Sequence, residues 1–139
     1  MTTNLLTIII PSYNEAENLK ILLPSIITTL VGVEYEILVV DTMISMDDTP
    51  NIVKQFEKVY CIARSPTNNY GDAVRSGINN ALGSHIIFMD ADLSHPVEFL
   101  KTFIQNRDKA DIIVASRYIN GVHSDNNKLL IMMSRLLNM

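Results

Sequence analysis

Five short runs rich in isoleucine and valine alternate with helix-like segments along the chain. Each run is too short and too rich in β-branched side chains to favour a helix. The runs predict β-strands at 5–10, 34–40, 59–64, 85–90 and 111–116. Strands that alternate with helices predict an α/β fold with a mostly parallel central sheet and helices on both of its faces.

The segments between the strands have the apolar spacing and the terminal residues that are typical of helices. Asn14 is the predicted N-cap of the first helix, and Pro24 predicts a kink within it. Pro50 lies in the first turn of the second helix, and Gly83 is predicted to end the third. The predicted helices span 14–30, 47–59, 71–83, 96–108 and 127–139.

The composition is that of one ordinary globular domain, which we place at residues 1–139, with 47% apolar and 19% charged residues. A net charge of -4 argues against nucleic acid as a partner, because such proteins present a basic face. The single cysteine, Cys61, excludes an internal disulfide and fits a reducing compartment. The N-terminus lacks the basic region of a signal peptide, and no segment has the roughly 20 apolar residues of a membrane span. The predicted location is therefore cytoplasmic.

Carboxylates and hydroxyls concentrate in three loops that follow predicted strands, at 11–15, 41–49 and 90–95. In parallel sheets ligands bind beyond the carboxyl ends of the strands, so we expect any chemistry at this edge. Asp90 and Asp92 are two positions apart, and in extended backbone their side chains would point the same way. Two carboxylates placed side by side favour a bound cation. A solvated turn is the alternative interpretation.

Four segments resemble family 2 glycosyltransferases of the Rossmann-like GT-A fold, nearest to the polyprenyl (dolichyl) phosphate mannosyltransferases. The first two are "TIIIPSYNEAENL" (7–19) and "ILVVDTMISMDDTP" (37–50). The other two are "NNYGDAVRSGINNALGSHIIFMDADLSHPVEFL" (68–100) and "DIIVASRYINGV" (111–122). They follow the order of the family, and the combination of "PSYNE" with "MDADLSHP" is the specific part.

The resemblance implies a metal site at the two aspartates. Asp92 would ligate Mg²⁺ or Mn²⁺ directly, and Asp90 would lie near the metal and the donor sugar or ribose. These cations prefer oxygen ligands and are commonly held by one or two carboxylates together with substrate phosphates. His95 lies beside the site in the family.

The resemblance also implies a nucleotide-sugar-binding site in the first two loops. Pro11, Tyr13 and Glu15 would surround the nucleobase and ribose, although Glu15 is equally suited to the first turn of a helix. Asp41 would accept a hydrogen bond from the base or ribose. Many relatives have a second aspartate next, where this chain has Thr42, and "TMIS" adds one residue to the loop. Asp47 and Asp48 are predicted to start a helix rather than to touch the donor.

Two arginines and the C-terminal segment complete the prediction. Arg117 would bind a phosphate of the acceptor or donor, with a surface salt bridge as the alternative. Arg75 is predicted to be a surface charge, with contact to the donor pyrophosphate as the alternative. Residues 116–139 would form an acceptor loop and a terminal apolar helix, and the acceptor part found in relatives is expected to be absent. A helix apolar on most sides is buried or lies at a membrane interface. Three accounts are therefore open: a truncated product, a homo-oligomer formed through helix 127–139, or peripheral contact with the cytoplasmic membrane face.

The implied activity is inverting transfer of a sugar from a nucleoside diphosphate sugar, GDP-mannose or a UDP-sugar. The acceptor would be a polyprenyl phosphate or a sugar. A lipid phosphate is already ionised near neutral pH and needs no general base. The alternative is a non-catalytic or truncated nucleotide-sugar-binding domain that needs a partner chain.

Overall fold

The computed structural model describes residues 5–116, in which four parallel strands form one sheet in the order β3-β2-β1-β4. The strands are β1 (Leu6–Pro11), β2 (Tyr35–Asp41), β3 (Val59–Ala63) and β4 (His85–Phe88). The helices are α1 (Ala16–Thr29), α2 (Thr49–Val53), α3 (Tyr70–Asn80) and α4 (Phe99–Asn106). The predicted α/β fold with a parallel central sheet is confirmed.

The core lies on both faces of the two central strands, β1 and β2, which are buried almost throughout. On one face Ile8 and Val39 belong to a cluster that includes Leu23 of α1 and Leu100 of α4. The other face is covered by α3. Helices therefore pack on both faces, which explains why the strands are continuous apolar runs rather than alternating ones.

The contact of α3 with the sheet depends on a small residue. A Cβ atom added to Gly77 would lie 2.4 Å from Cγ2 of Ile9, so only glycine lets α3 approach this closely. Gly83 has a similar role and does not end α3, which ends at Asn80. A Cβ on Gly83 would lie 2.6 Å from Oγ1 of Thr7, at the start of the sheet.

The predicted boundaries of the first two helices are also wrong. Asn14 is not an N-cap: its φ is 59°, α1 begins at Ala16, and the Ala16 N–H donates to Oδ2 of Asp47 at 2.8 Å. The second helix spans Thr49–Val53 rather than 47–59. It is short because most side chains after Val53 are polar and exposed, so a longer helix would bury little more apolar surface.

The predicted strand at 111–116 is also wrong. Residues 5–109 belong to one compact unit and residues 110–116 to a second. Ile112 and Val114 are 81% and 77% exposed. A strand is held by hydrogen bonds to a neighbouring strand, and 111–116 pairs with none in the part of the chain that the structure describes.

The predictions for Arg117, for the acceptor loop and for helix 127–139 lie outside the described residues, apart from Ser116 at the start of that loop. Within 5–116 no helix has both the length and the apolar character to cross a bilayer.

Candidate functional site

The candidate site lies at the sheet edge where the carboxyl ends of all four strands meet. Because the strands are parallel, the segments that follow them lie along this one edge. The segments with carboxylates and hydroxyls are 12–15 after β1, 42–48 after β2 and 89–98 after β4.

Asp90 and Asp92 lie in a turn, not in a strand. The predicted strand 85–90 ends at Phe88, although the Met89 N–H still donates to the Ile9 carbonyl at 3.1 Å. Beyond Ile9, β1 pairs with β2 alone, so the backbone after Met89 has no ladder to continue. The prediction that the strand continues to Asp90 is therefore wrong, whereas both aspartates do follow β4.

Neighbouring residues orient the Asp90 carboxylate. The Tyr70 hydroxyl donates to Oδ1 at 3.3 Å, and Nε2 of His95 lies 3.9 Å from Oδ2. The Asp90 N–H in turn donates to Nδ1 of His95 at 3.4 Å. Burial, and then the Asp90 charge and hydrogen bond, raise the pKa of Tyr70, which therefore stays a protonated donor at neutral pH.

Asp92 is exposed and is held by its own turn. Its Oδ1 accepts from the Ser94 N–H at 2.9 Å. Hydrogen bonding from Ser94 lowers the pKa of Asp92, with His95 acting in the same direction and burial opposing both. Leu93 between them has a φ of 63°, the left-handed conformation that lets the turn reverse direction. Asp92 is thus an ionised carboxylate that faces solvent.

The oxygen donors at this turn fit Mg²⁺ or Mn²⁺. Oδ2 of Asp92 accepts no hydrogen bond within residues 5–116, and the Asp90 side chain is 44% exposed. No group of three or more His, Cys, Asp or Glu side chains in the described chain could form a closed metal site. Two accessible carboxylates suit a cation that completes its coordination with water and with ligand phosphates.

Asp41 differs from the other candidate carboxylates because it is only 2% exposed. Its Oδ1 accepts from the Thr42 N–H at 2.8 Å, whereas Oδ2 is buried without a hydrogen-bond partner in the described residues. The Ser12 hydroxyl, in the segment after β1, is likewise buried without a hydrogen-bond partner in the described residues. A buried polar atom without a partner costs about 1–3 kcal/mol, and such atoms are favourable contacts for a bound ligand.

The segment after β1 presents one exposed aromatic ring. Pro11 is buried at the end of the strand, and the Tyr13 side chain that follows it is 55% exposed. Glu15 is the first residue before α1, and its Oε2 accepts from Nδ2 of Asn18 at 2.6 Å. Glu15 therefore stands at the N-cap position rather than in the first turn of α1, and its side chain makes no capping hydrogen bond.

Asp47 lies just before α2, whose N-cap is Asp48, and its carboxylate contacts the first turns of both α1 and α2. Its Oδ1 accepts from the Thr49 N–H at 2.9 Å and its Oδ2 from the Ala16 N–H at 2.8 Å. Burial would raise the pKa of Asp47, but these hydrogen bonds outweigh it and lower the pKa. The first turns of α1 and α2 are thus joined through one carboxylate.

The sequence analysis missed Arg64, which is 4% exposed at the end of β3. Its Nε donates to the Asp41 carbonyl at 3.1 Å and Nη1 to the Asn68 carbonyl at 3.0 Å. Its Nη2 donates to the Val40 carbonyl at 3.2 Å and also to the Ser12 carbonyl. No carboxylate in residues 5–116 pairs with it. Arg64 therefore joins the segment after β1, the end of β2 and the segment after β3. Its position after a predicted strand was the signal available in the sequence.

The prediction for Arg75 as a surface charge agrees with the structure. Its side chain is 66% exposed and pairs with the buried carboxylate of Asp72 one turn earlier on α3. Hydrogen bonds from Thr67, then from Arg75, lower the pKa of Asp72.

The described fold is that of the Rossmann-like GT-A class. A structure of TarS from S. aureus, residues 1–349, matches it with a TM-score of 0.62 and 24% sequence identity. The match covers 77% of this chain and 33% of that chain.

The chain belongs to glycosyl transferase family 2, whose profile matches residues 7–138. It is 37% identical over 130 residues to the dolichol-phosphate mannosyltransferase of Pyrococcus furiosus. That match covers 86% of this chain and 35% of the relative. It is 34% identical over 128 residues to the putative glycosyltransferase CsbB of Bacillus subtilis, with coverage of 87% and 39%. The chain thus spans 35% and 39% of the lengths of these two relatives.

Proposed function

We propose that the protein binds a nucleoside diphosphate sugar at the carboxyl edge of its sheet and transfers the sugar, with inversion, to an acceptor. The observation that carries the proposal is the pair of half-buried Asp90 and exposed Asp92, which follows β4 at the same edge as Tyr13 and Asp41. Family membership and the names of the relatives support glycosyl transfer as the reaction class.

Each described residue has a distinct role in the proposal. Asp92 would hold Mg²⁺ or Mn²⁺ directly, with Asp90 beside it, oriented by Tyr70 and His95. Bound there, the cation would neutralise the negative charge that develops on the leaving diphosphate.

The nucleoside half of the donor would occupy the segments after β1 and β2. The exposed ring of Tyr13 offers a stacking surface for the base, with Pro11 and Glu15 on either side of it in the chain. Oδ2 of Asp41 would accept from a base N–H or a ribose hydroxyl. Because Asp41 is 2% exposed, the donor would reach this oxygen only after a local rearrangement around it.

For the donor we propose GDP-mannose or a UDP-sugar, and for the acceptor a polyprenyl phosphate or a sugar. An acceptor oxygen would attack the anomeric carbon on the side opposite the diphosphate, the C–O bond to the diphosphate would break, and the configuration would invert. A phosphate oxygen is already ionised and gives up no proton, whereas a sugar hydroxyl needs a general base. Arg117 is proposed to bind a phosphate in this step.

A binding domain that needs a partner chain for transfer is the second candidate. Both candidates bind donor, and only the first forms product.

Calorimetry with GDP-mannose, UDP-glucose and UDP-GlcNAc, with and without Mn²⁺, tests the proposal. We expect one donor to bind in a Mn²⁺-dependent way, and Asp92→Asn to weaken that binding about tenfold or more, the loss expected when a charged ligand contact is removed. Glu57→Gln is the matched control, because it removes one exposed carboxylate at the opposite edge of the sheet. Equal affinities for Asp92→Asn and wild type in Mn²⁺ would refute the metal site. Glycosyl transfer or slow donor hydrolysis, abolished by Asp92→Asn, separates the enzyme from the binding domain.

A further inference from the structure

A cleft of about 430 Å³ lies between α2 and β3. Val53 of α2 and Val59 of β3 contribute to its apolar walls, and Asp41 and Lys54 are the charged residues that line it within the described chain. Small-molecule sites have volumes of this size, and they combine mostly apolar walls with a few polar groups that fix the orientation of the ligand. The two charges therefore decide which ligand the cleft can hold.

Asp41 offers the cleft one free hydrogen-bond acceptor. Its Oδ1 is occupied by the Thr42 N–H at 2.8 Å, whereas its buried Oδ2 has no partner in the described residues. An ionised carboxylate accepts hydrogen bonds and donates none. Once a local rearrangement exposes Oδ2, a ligand can therefore bind this oxygen only through an N–H or O–H group.

Lys54 offers the cleft the opposite kind of group. It follows the last residue of α2, its side chain is exposed, and its ammonium forms no ion pair within residues 5–116. An ammonium has three donors and no acceptor, and its flexible four-carbon stem lets it move toward a ligand. A ligand can therefore bind Lys54 only through an acceptor atom.

Cys61 shows that both charges lie near one point of the cleft. Cys61 pairs with Val39, two residues before Asp41, so the side chains of Cys61 and Asp41 lie on the same face of the sheet. Burial, and then the charges of Asp41 and Asp47, raise the pKa of the Cys61 thiol to about 11, whereas Lys54 lowers it. Asp41 and Lys54 are thus both within electrostatic range of a single side chain.

We propose that Lys54 is a specificity residue for the base of the sugar donor, an inference that rests on the donor binding proposed above. Oδ2 of Asp41 accepts from a ring N–H, and the Lys54 ammonium donates to the ring carbonyl beside that N–H. Guanine and uracil both present this pair of groups.

Adenine and cytosine present the reverse pattern, a bare ring nitrogen beside an amino group. The carboxylate of Asp41 would then face a lone pair, and the ammonium of Lys54 would face N–H hydrogens. Buried polar groups left without partners reject a ligand strongly, and like charges placed together add to the discrimination. The two residues would therefore exclude both bases.

Protection of Cys61 from iodoacetamide tests this proposal. The chain contains one cysteine, so the reaction reports on this cleft alone. Rates are measured with nucleoside monophosphates in EDTA, so that no cation is needed at Asp90 and Asp92. Because the pKa of Cys61 is about 11, the reaction is run at about pH 9, where more of the thiol is ionised.

Two pairs of nucleotides isolate the edge of the base. Inosine and adenosine monophosphates differ only in having N1–H with a carbonyl at C6 or a bare N1 with an amino group. Uridine and cytidine monophosphates form the same kind of pair. We expect half-protection by the inosine and uridine nucleotides at concentrations at least about tenfold lower than those of their partners. Guanosine monophosphate measured against the uridine nucleotide then shows which of the two bases fits better.

Replacement of Lys54 by methionine tests its role, because methionine keeps the length of the side chain and removes the donors. Lys54→Met should raise the half-protecting concentrations of the inosine and uridine nucleotides about fivefold to tenfold. The adenosine and cytidine nucleotides should bind no more weakly than before. Lys101→Met is the matched control, since Lys101 is also exposed but lies on α4 and does not line the cleft. Concentrations are compared rather than rates, because Lys54 also affects the pKa of the thiol.

Three results would overturn the proposal. They are equal protection by the inosine and adenosine nucleotides, equal losses for all four nucleotides in Lys54→Met, or no protection by any nucleotide. The second result would show that Lys54 attracts the phosphate instead of binding the base. The third, together with Mn²⁺-dependent binding of a sugar nucleotide in calorimetry, would put the base elsewhere and leave the proposed function intact. Base selectivity in EDTA, with no effect of Asp92→Asn in Mn²⁺, would support Lys54 and refute the metal site.

Discussion

Replacing Arg64 by methionine should destabilise the protein substantially. Methionine keeps most of the side-chain volume and removes the guanidinium that joins the segments after β1, β2 and β3. Arg64→Lys retains the charge but cannot reach several carbonyls at once, because an ammonium lacks the planar fork of donors. Both variants therefore test the same network.

The size of the effect depends on which hydrogen-bond donors each of the four carbonyls keeps after the substitution. The Val40 carbonyl also accepts from the Ser12 N–H at 2.9 Å, and the Asp41 carbonyl accepts from the Arg64 N–H at 3.0 Å. These two keep a backbone donor after substitution. The Ser12 carbonyl belongs to a fully buried residue and loses its guanidinium donor, at about 1–3 kcal/mol for a buried group left unpaired. Asn68 is exposed, so water can replace the guanidinium at its carbonyl. Removing a buried charge offsets part of the cost. We expect a loss of about 2 kcal/mol in the free energy of unfolding, out of a typical 5–15 kcal/mol.

Urea unfolding measures this loss. Arg75→Met is the control, since Arg75 is 66% exposed and its ion pair should contribute about 1 kcal/mol or less. Arg64→Lys should fall between wild type and Arg64→Met. An Arg64→Met protein no less stable than the Arg75→Met protein would refute the view that this guanidinium holds the sheet edge together.

Two further predictions concern stability. The pKa of Asp47 is lowered below 3.8 in the folded protein, so the stability that its ionised carboxylate contributes is complete above that value and is lost as the pH falls through the folded pKa. Asp47→Asn should therefore lose less stability than wild type when urea unfolding is repeated toward acidic pH. Parallel curves of stability against pH for the two proteins would contradict this. Gly77→Ala should lower the free energy of unfolding by about 1–3 kcal/mol, because the new Cβ would overlap Cγ2 of Ile9. Gly71→Ala on the same helix, whose nearest neighbouring atom would lie at 3.5 Å, should be neutral or stabilising in the same assay.

The central strands were predictable because their signal is local. The strand predicted at 5–10 is observed at Leu6–Pro11, and the strand predicted at 34–40 is observed at Tyr35–Asp41. Buried isoleucine and valine favour a strand wherever neighbours cover both faces. The run at 111–116 has the same composition but no strand partner in the described residues. Composition indicates that a segment can form a strand, and pairing decides whether it does.

The candidate site was predicted only as a set of loops. The rule that ligands bind beyond parallel strands correctly brought Asp90, Asp92 and Asp41 to one edge. It could not show that Asp41 is buried, or that the cap of α1 comes from Asp47, 31 residues along the chain from Ala16. Arg64 was missed because its partners are four carbonyl groups, which no residue type reveals.

The carboxylate of Asp47 connects the segment after β1 to the segment after β2. It binds the amino terminus of α1 with one oxygen and that of α2 with the other, so neither helix can shift its first turn without straining the other. Any molecule that fixes the position of residues 42–48 therefore also fixes the start of α1 and, with it, the backbone that carries Tyr13 and Glu15.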